Sequence, residues 1–268
     1  WRAFHGDHYS PAALAARPGL MSVYGWKTED EARKHVKVFT RYEDLLDQYV
    51  ELGIEAVIIA LPLHLHAPAA VKAAKLGLHV LTEKLMGHSV ANCKEMARAA
   101  KEANIHLATG HQRHYNILYH EAVEMIKRRQ IGDLHFIRAQ WHRNNNPNSD
   151  SWQQPMPPSL KPDDKLYDRL HRLLATAENS LYSARGAAIE EASILVQQRR
   201  MQLEDYVLAD GGTSGGTTFL SAEEAGYNSE NIDGYDRPAA EELIRWRLWQ
   251  RTGGGLMVEL GSHQLDAS

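Results

Sequence analysis

Short apolar runs alternate with amphipathic helical segments from about residue 36 to residue 140, and this alternation restricts the fold more than any other feature. Glu55-Ala56-Val57-Ile58-Ile59-Ala60-Leu61 is almost continuously apolar, the composition of a parallel strand buried on both faces. His79-Val80-Leu81-Thr82, residues 105–109 and residues 36–40 read as further strands. Residues 42–52, 67–76, 89–104 and 118–129 read as the helices between and after them, with Gly53, Gly77 and Gly132 at their ends. Ser89 stands as an N-cap, and Val90, Met96, Ala97 and Ala100 fall roughly on one face. Strands joined by helices imply right-handed crossovers and an open parallel α/β sheet. Such a sheet binds its ligand beyond the carboxyl ends of its strands. The loops at 61–66, 83–87 and 110–115 therefore become the site candidates.

Past Gly132 the texture changes. Residues 134–143 alternate like a strand with one exposed face, which starts a second α/β domain with a largely antiparallel open sheet. The domain reading is 1–117 for the first and 118–268 for the second, with a long insertion at about 150–245. Residues 144–165, rich in Asn, Pro, Ser and Asp, read as loop. Residues 170–205 read as helical with mixed charge, and 211–218 as a flexible Gly/Thr/Ser connection.

Composition removes several classes of function. A formal net charge of -4, with basic residues spread along the chain, gives no nucleic-acid footprint. No apolar run approaches the roughly 18 residues needed to cross a membrane. Cys93 is the single cysteine, so an intrachain disulfide is excluded, which fits a reducing compartment. Trp1 is not an initiator Met, and no compartment is assigned beyond a cytoplasmic default.

Five places carry chemistry. Thr82-Glu83-Lys84 ends a predicted strand, where a lysine can relay a proton or orient a substrate hydroxyl; a solvated Glu-Lys pair is the plain alternative. Leu61-Pro62-Leu63-His64-Leu65-His66 leads into a helix whose first N–H groups could face a nucleotide. His64 and His66 lack a third ligand at matching spacing, so no metal site is expected. Gly110-His111-Gln112-Arg113-His114-Tyr115-Asn116 offers an arginine for a carboxylate, phosphate or sugar hydroxyl, or simply a well-bonded crossing loop. Trp141-His142-Arg143-Asn144 could line a polyol pocket or open the long loop. Finally, Glu259, His263 and Asp266 follow a triple glycine at i, i+4 and i+7, on one face if the segment is helical. A carboxylate beside an imidazole orients it for general base work.

Taken in order, these motifs resemble the Gfo/Idh/MocA family, which includes glucose–fructose oxidoreductases and inositol dehydrogenases. The resemblance covers the chain apart from roughly 150–245. It implies a Rossmann domain binding NAD or NADP, a sugar or polyol substrate, and homo-oligomers formed through the second-domain sheet. It also implies that Lys84, Glu259 and His263 form the catalytic group. In that arrangement His263 takes the proton of a substrate hydroxyl, Lys84 hydrogen-bonds the same oxygen and Glu259 orients the site. Arg113 and Asn144 match substrate-side positions, together with His263. Leu61, Pro62, His66 and Glu83 match cofactor-side positions, together with Lys84.

Three departures stand out. Leu85 occupies a position usually held by proline, and Glu259 one usually held by aspartate. No GxGxxG is present, so the phosphate-binding turn is expected upstream of Trp1 and further strands after Ser268, a chain truncated at both ends. The activity implied is hydride transfer between a nicotinamide and a secondary alcohol of a sugar, polyol or glycoside. Two alternatives stand beside it: a cofactor-retaining glycoside-cleaving enzyme working through transient oxidation and elimination, and a non-catalytic nucleotide-binding regulator.

Overall fold

The computed structural model describes residues 2–6, 11–141, 165–214 and 217–268. The chain forms two compact units interleaved in sequence: Arg41–Asn144 with Trp246–Ser268, and Trp1–Thr40 with Asn145–Arg245.

The first of these units holds the expected parallel sheet, β1 (Ala56–Ile59), β2 (His79–Thr82) and β3 (Leu107–Thr109), in the order β1-β2-β3. Its register runs from Ala56 opposite His79 to Thr82 opposite Thr109. The crossovers are the helices His66–Lys75 and Val90–Glu102. Alanines at 67, 69, 70, 73 and 74 are buried on the first helix, and such small side chains let its backbone lie close to the strands. Leu46, Ile59, Val71, Leu78, Val80 and Met96 complete the core. Ser89 caps the second helix as expected, its Oγ accepting from the Asn92 N–H at 3.1 Å. Gly77 takes φ +79°, the left-handed geometry that ends the first helix without a Cβ clash.

Burial on both strand faces is not what the structure has. Side chains alternate across a sheet; Ile59, Val80 and Thr82 face the helices, whereas Ile58 is 76% exposed and Leu81 40%. Met96 and Ala100 form the inner stripe of the Val90–Glu102 helix, and Val90 and Ala97 are exposed. The helix expected over 42–52 is regular over Tyr42–Asp47 and finishes as turns. Residues 36–40 and 134–141 form no strand. Their alternation needs a sheet partner, and none of the described residues supplies one.

The second unit contains the paired helices Leu166–Ser183 and Ala188–Ala209 and two antiparallel ribbons. The ribbons are β4 (Thr213–Ser214) with β5 (Thr217–Thr218), and β6 (Glu230–Ile232) with β7 (Tyr235–Arg237). The expected flexible connection at 211–218 is thus partly paired. Antiparallel pairing occurs as two ribbons among the described residues rather than as one broad sheet. Arg237 and Glu242, each 2% exposed at the side chain, form a buried ion pair at 3.4 Å.

Candidate active site

The three loops that follow β1, β2 and β3 lie side by side because the backbone ladder continues past the strands. The Glu83 N–H donates to Ile59 O and the Gly110 N–H to Thr82 O, both at 2.8 Å. His66 fastens the first two loops together from a position 1% exposed. Its Nε2 is 2.8 Å from the Leu61 carbonyl oxygen and its Nδ1 2.7 Å from that of Leu85. Pro62 starts the short 3-10 turn Leu63–Leu65 that leads into the His66–Lys75 helix. Glu83 is exposed and packs over Gly110, where a β-carbon would come within 3.2 Å of Glu83 Oε2. The Lys84–Leu85 peptide is cis.

The C-terminal motif closes on these loops. Gly254 and Gly255 take φ +74° and +81°, conformations that turn the chain into the final helix, Leu256–Ala267. That helix places Glu259 against Lys84, whose Nζ donates to Glu259 Oε2 at 2.7 Å and also to the Glu259 carbonyl oxygen. The lysine side chain is 10% exposed and the glutamate 8%. His263 is half-buried one turn further along the same helix. Asp266 reaches the loop after β3, with Oδ1 2.6 Å from His114 Nε2. The expected acid–imidazole–acid face therefore serves to join the helix to two separate loops, at Lys84 and at His114.

Arg113 is bracketed by two rings, its guanidinium carbon 5.6 Å from the centroids of both Tyr119 and Trp141. It lines a cavity of about 280 Å³ together with His114, His120, Lys127 and Asp266. Asn144 lies outside the described residues. Among the described residues no group of three His, Cys, Asp or Glu side chains converges as a metal site would require, and no helix is long and apolar enough to cross a membrane.

One participant escaped the sequence analysis. Arg247 Nε donates to Glu259 Oε1 at 3.1 Å, so the carboxylate is shared by two cations. The available signal was the Trp246-Arg247 pair shortly before the glycine run, just past the stretch of roughly 150–245 that the resemblance leaves unmatched.

Residues 11–111 match the family model for Gfo/Idh/MocA, described as an oxidoreductase family with an NAD-binding Rossmann fold. Over these residues the chain is similar to that family. An uncharacterized oxidoreductase of Streptococcus pneumoniae is 33% identical over 132 residues, 48% of this chain and 35% of that protein. The 2,7-anhydro-N-acetylneuraminate hydratase of Escherichia coli is 32% identical over 123 residues, 45% of this chain and 32% of that protein. A solved myo-inositol 2-dehydrogenase of Lactobacillus plantarum is 29% identical, covering 35% of this chain and 27% of its own, with a TM-score of 0.32. The chain thus spans about a third of the length of the curated relatives it matches.

Proposed function

We propose that the protein is an NAD- or NADP-dependent oxidoreductase acting on a secondary alcohol of a sugar, polyol or glycoside. The observation that carries this proposal is the lysine ammonium seated on a buried carboxylate at the carboxyl end of β2, where an open parallel sheet takes its ligand. A cofactor domain over 1–117 and a substrate domain over 118–268 form part of the proposal, as do homo-oligomers formed through the second domain.

The residues suit the nicotinamide end of a dinucleotide. The loop from Leu61 through Pro62 to His66, with Glu83 and Lys84, would hold it beside the ends of β1 and β2, and Gly110 leaves room where a β-carbon would crowd Glu83. When bound, the nicotinamide supplies the hydride acceptor. Lys84 has three N–H donors, of which Glu259 Oε2 and the Glu259 carbonyl oxygen take two. The third is aimed at the substrate hydroxyl oxygen and stabilises negative charge there as the O–H bond breaks. His263 receives that proton, Glu259 holds the lysine, and Arg113 and Asn144 bind the remainder of the substrate.

The test is to incubate the full-length natural protein with NAD or NADP and myo-inositol or a panel of aldoses and polyols, following absorbance of the reduced cofactor. Turnover that vanishes in Lys84→Ala supports the proposal; turnover that survives this change defeats it. A second reading is favoured by the two 2,7-anhydro-N-acetylneuraminate hydratases, which are 32% and 33% identical over the segments matched. In it the same site oxidises a glycoside transiently, eliminates a substituent and returns the hydride. That enzyme would transform 2,7-anhydro-N-acetylneuraminate with no net reduced cofactor accumulating.

A further inference from the structure

Glu259 carries one negative charge and meets two cations, Lys84 on Oε2 at 2.7 Å and Arg247 on Oε1 at 3.1 Å. The pairing is largely shielded from water, since the side chains of Glu259 and Lys84 are 8% and 10% exposed and that of Arg247 32%. Arg247 is itself placed by its surroundings. Its guanidinium lies 4.5 Å from the centroid of the Trp246 ring, a contact that orients the planar group. The backbone beneath is also fixed: Thr252 Oγ1 donates to Trp246 O at 2.7 Å, and a β-carbon on Gly253 would come within 2.8 Å of that same oxygen and 3.0 Å of Arg247 Cα. Only glycine lets these two segments approach so closely.

We infer that Arg247 is a positioning residue whose task is to divide the Glu259 carboxylate. By occupying Oε1 it leaves a single carboxylate oxygen for Lys84. A carboxylate with no other cation would turn to present both oxygens to the ammonium. Together with the Glu259 carbonyl, they would engage all three lysine donors. With Arg247 in place the third N–H stays available for substrate. The inference rests on the proposed role of Lys84.

The experiment uses the full-length protein with Arg247→Ala, Arg247→Gln and, in parallel, Lys84→Ala. The first readout needs no substrate: the rate at which N-hydroxysuccinimidyl acetate acetylates Lys84, followed by mass spectrometry. Removing Arg247 ties the ammonium more tightly to Glu259, so this rate falls several-fold, and millimolar guanidinium restores it in Arg247→Ala. The second readout is kcat with NAD and myo-inositol or 2,7-anhydro-N-acetylneuraminate, whichever is turned over. It falls about a hundredfold, the usual consequence of a misplaced catalytic group, while KM for NAD hardly moves. Arg247→Gln keeps two of the three methylenes and a polar but uncharged end, and decides the matter if the alanine variant does not fold. A folded variant with unchanged or faster Lys84 acetylation overturns the inference. An active Lys84→Ala defeats the site reading itself, whatever Arg247 does.

Discussion

The Nδ1 of His66 lies 2.7 Å from the carbonyl oxygen of Leu85, 19 residues further along the chain. With Nε2 2.8 Å from Leu61 O, this one imidazole joins the loop after β1 to the loop that carries Lys84. Replacing His66 by Ala removes the partner of two part-buried carbonyls and leaves a cavity at a site 1% exposed. An orphaned buried acceptor costs about 1–3 kcal/mol. His66→Ala is expected to lower stability by at least that much in urea unfolding, and to lower kcat by displacing the Lys84 loop. Natural stability together with natural kcat would show that the bridge does not form.

The Arg237–Glu242 pair makes the opposite kind of prediction, since it lies in the unit that lacks the candidate site. Arg237 also reaches Glu230 Oε2 at 3.1 Å, and Glu242 Oε2 accepts the Asn228 N–H at 2.8 Å. Removing one member of a buried pair strands the other charge, which costs about 3–5 kcal/mol. Arg237→Ala is therefore expected to lower the unfolding midpoint sharply while the natively folded fraction retains the NAD affinity of the natural protein. Weakened NAD binding in that fraction would contradict the assignment of the site to the other unit.

Tyr235 supplies a pH dependence. Burial raises its phenol above the ordinary value of 10.0, and its hydrogen bond and proximity to Glu241 raise it further. The folded state thus holds the phenolic proton at pH values where the unfolded chain has released it. The sign follows from linkage: this contribution is fully present below pH 10 and declines as pH rises above it towards the folded-state value. Stability of the natural protein should fall more steeply with alkali above pH 10 than that of Tyr235→Phe. Parallel curves from chemical denaturation across that range would remove Tyr235 from the account.

The order of strands and crossover helices was legible because the punctuation between them agreed with the packing. Tight capping at Ser89 and the left-handed turn at Gly77 marked helix ends at the residues where they occur. Residues 36–40 and 134–141 misled because alternation states only which side chains share a face; whether a partner strand lies alongside is a tertiary matter. In the site, Lys84 and Glu259 were identified separately, yet nothing in their spacing fixed that they meet, being 175 residues apart. Asp266 was placed correctly on its helix face but was matched with His263, whereas its Oδ1 meets His114. Arg247 was missed for a related reason. An arginine outside any motif reveals itself only when the charges around one buried carboxylate are counted in space.

That count gives the last prediction, a double-mutant cycle on Lys84 and Glu259. Alone, Glu259→Ala leaves the Lys84 ammonium without its carboxylate in a position 10% exposed, and Lys84→Ala leaves the carboxylate with Arg247 only. The first loss is the larger, about 3 kcal/mol or more, as expected for breaking a buried ion pair. Removing both side chains strands neither partner of that pair, so the double variant should be less destabilised than the sum of the singles. The coupling expected between residues in direct contact is about 0.5–3 kcal/mol, read from urea unfolding of the full-length protein. Arg247 remains in every variant and shares the carboxylate with Lys84, so the coupling measured is that of the Lys84–Glu259 pair in the presence of Arg247. Strict additivity would mean that the ammonium and the carboxylate are not in contact in solution, and the catalytic role given to Lys84 would lose its structural basis.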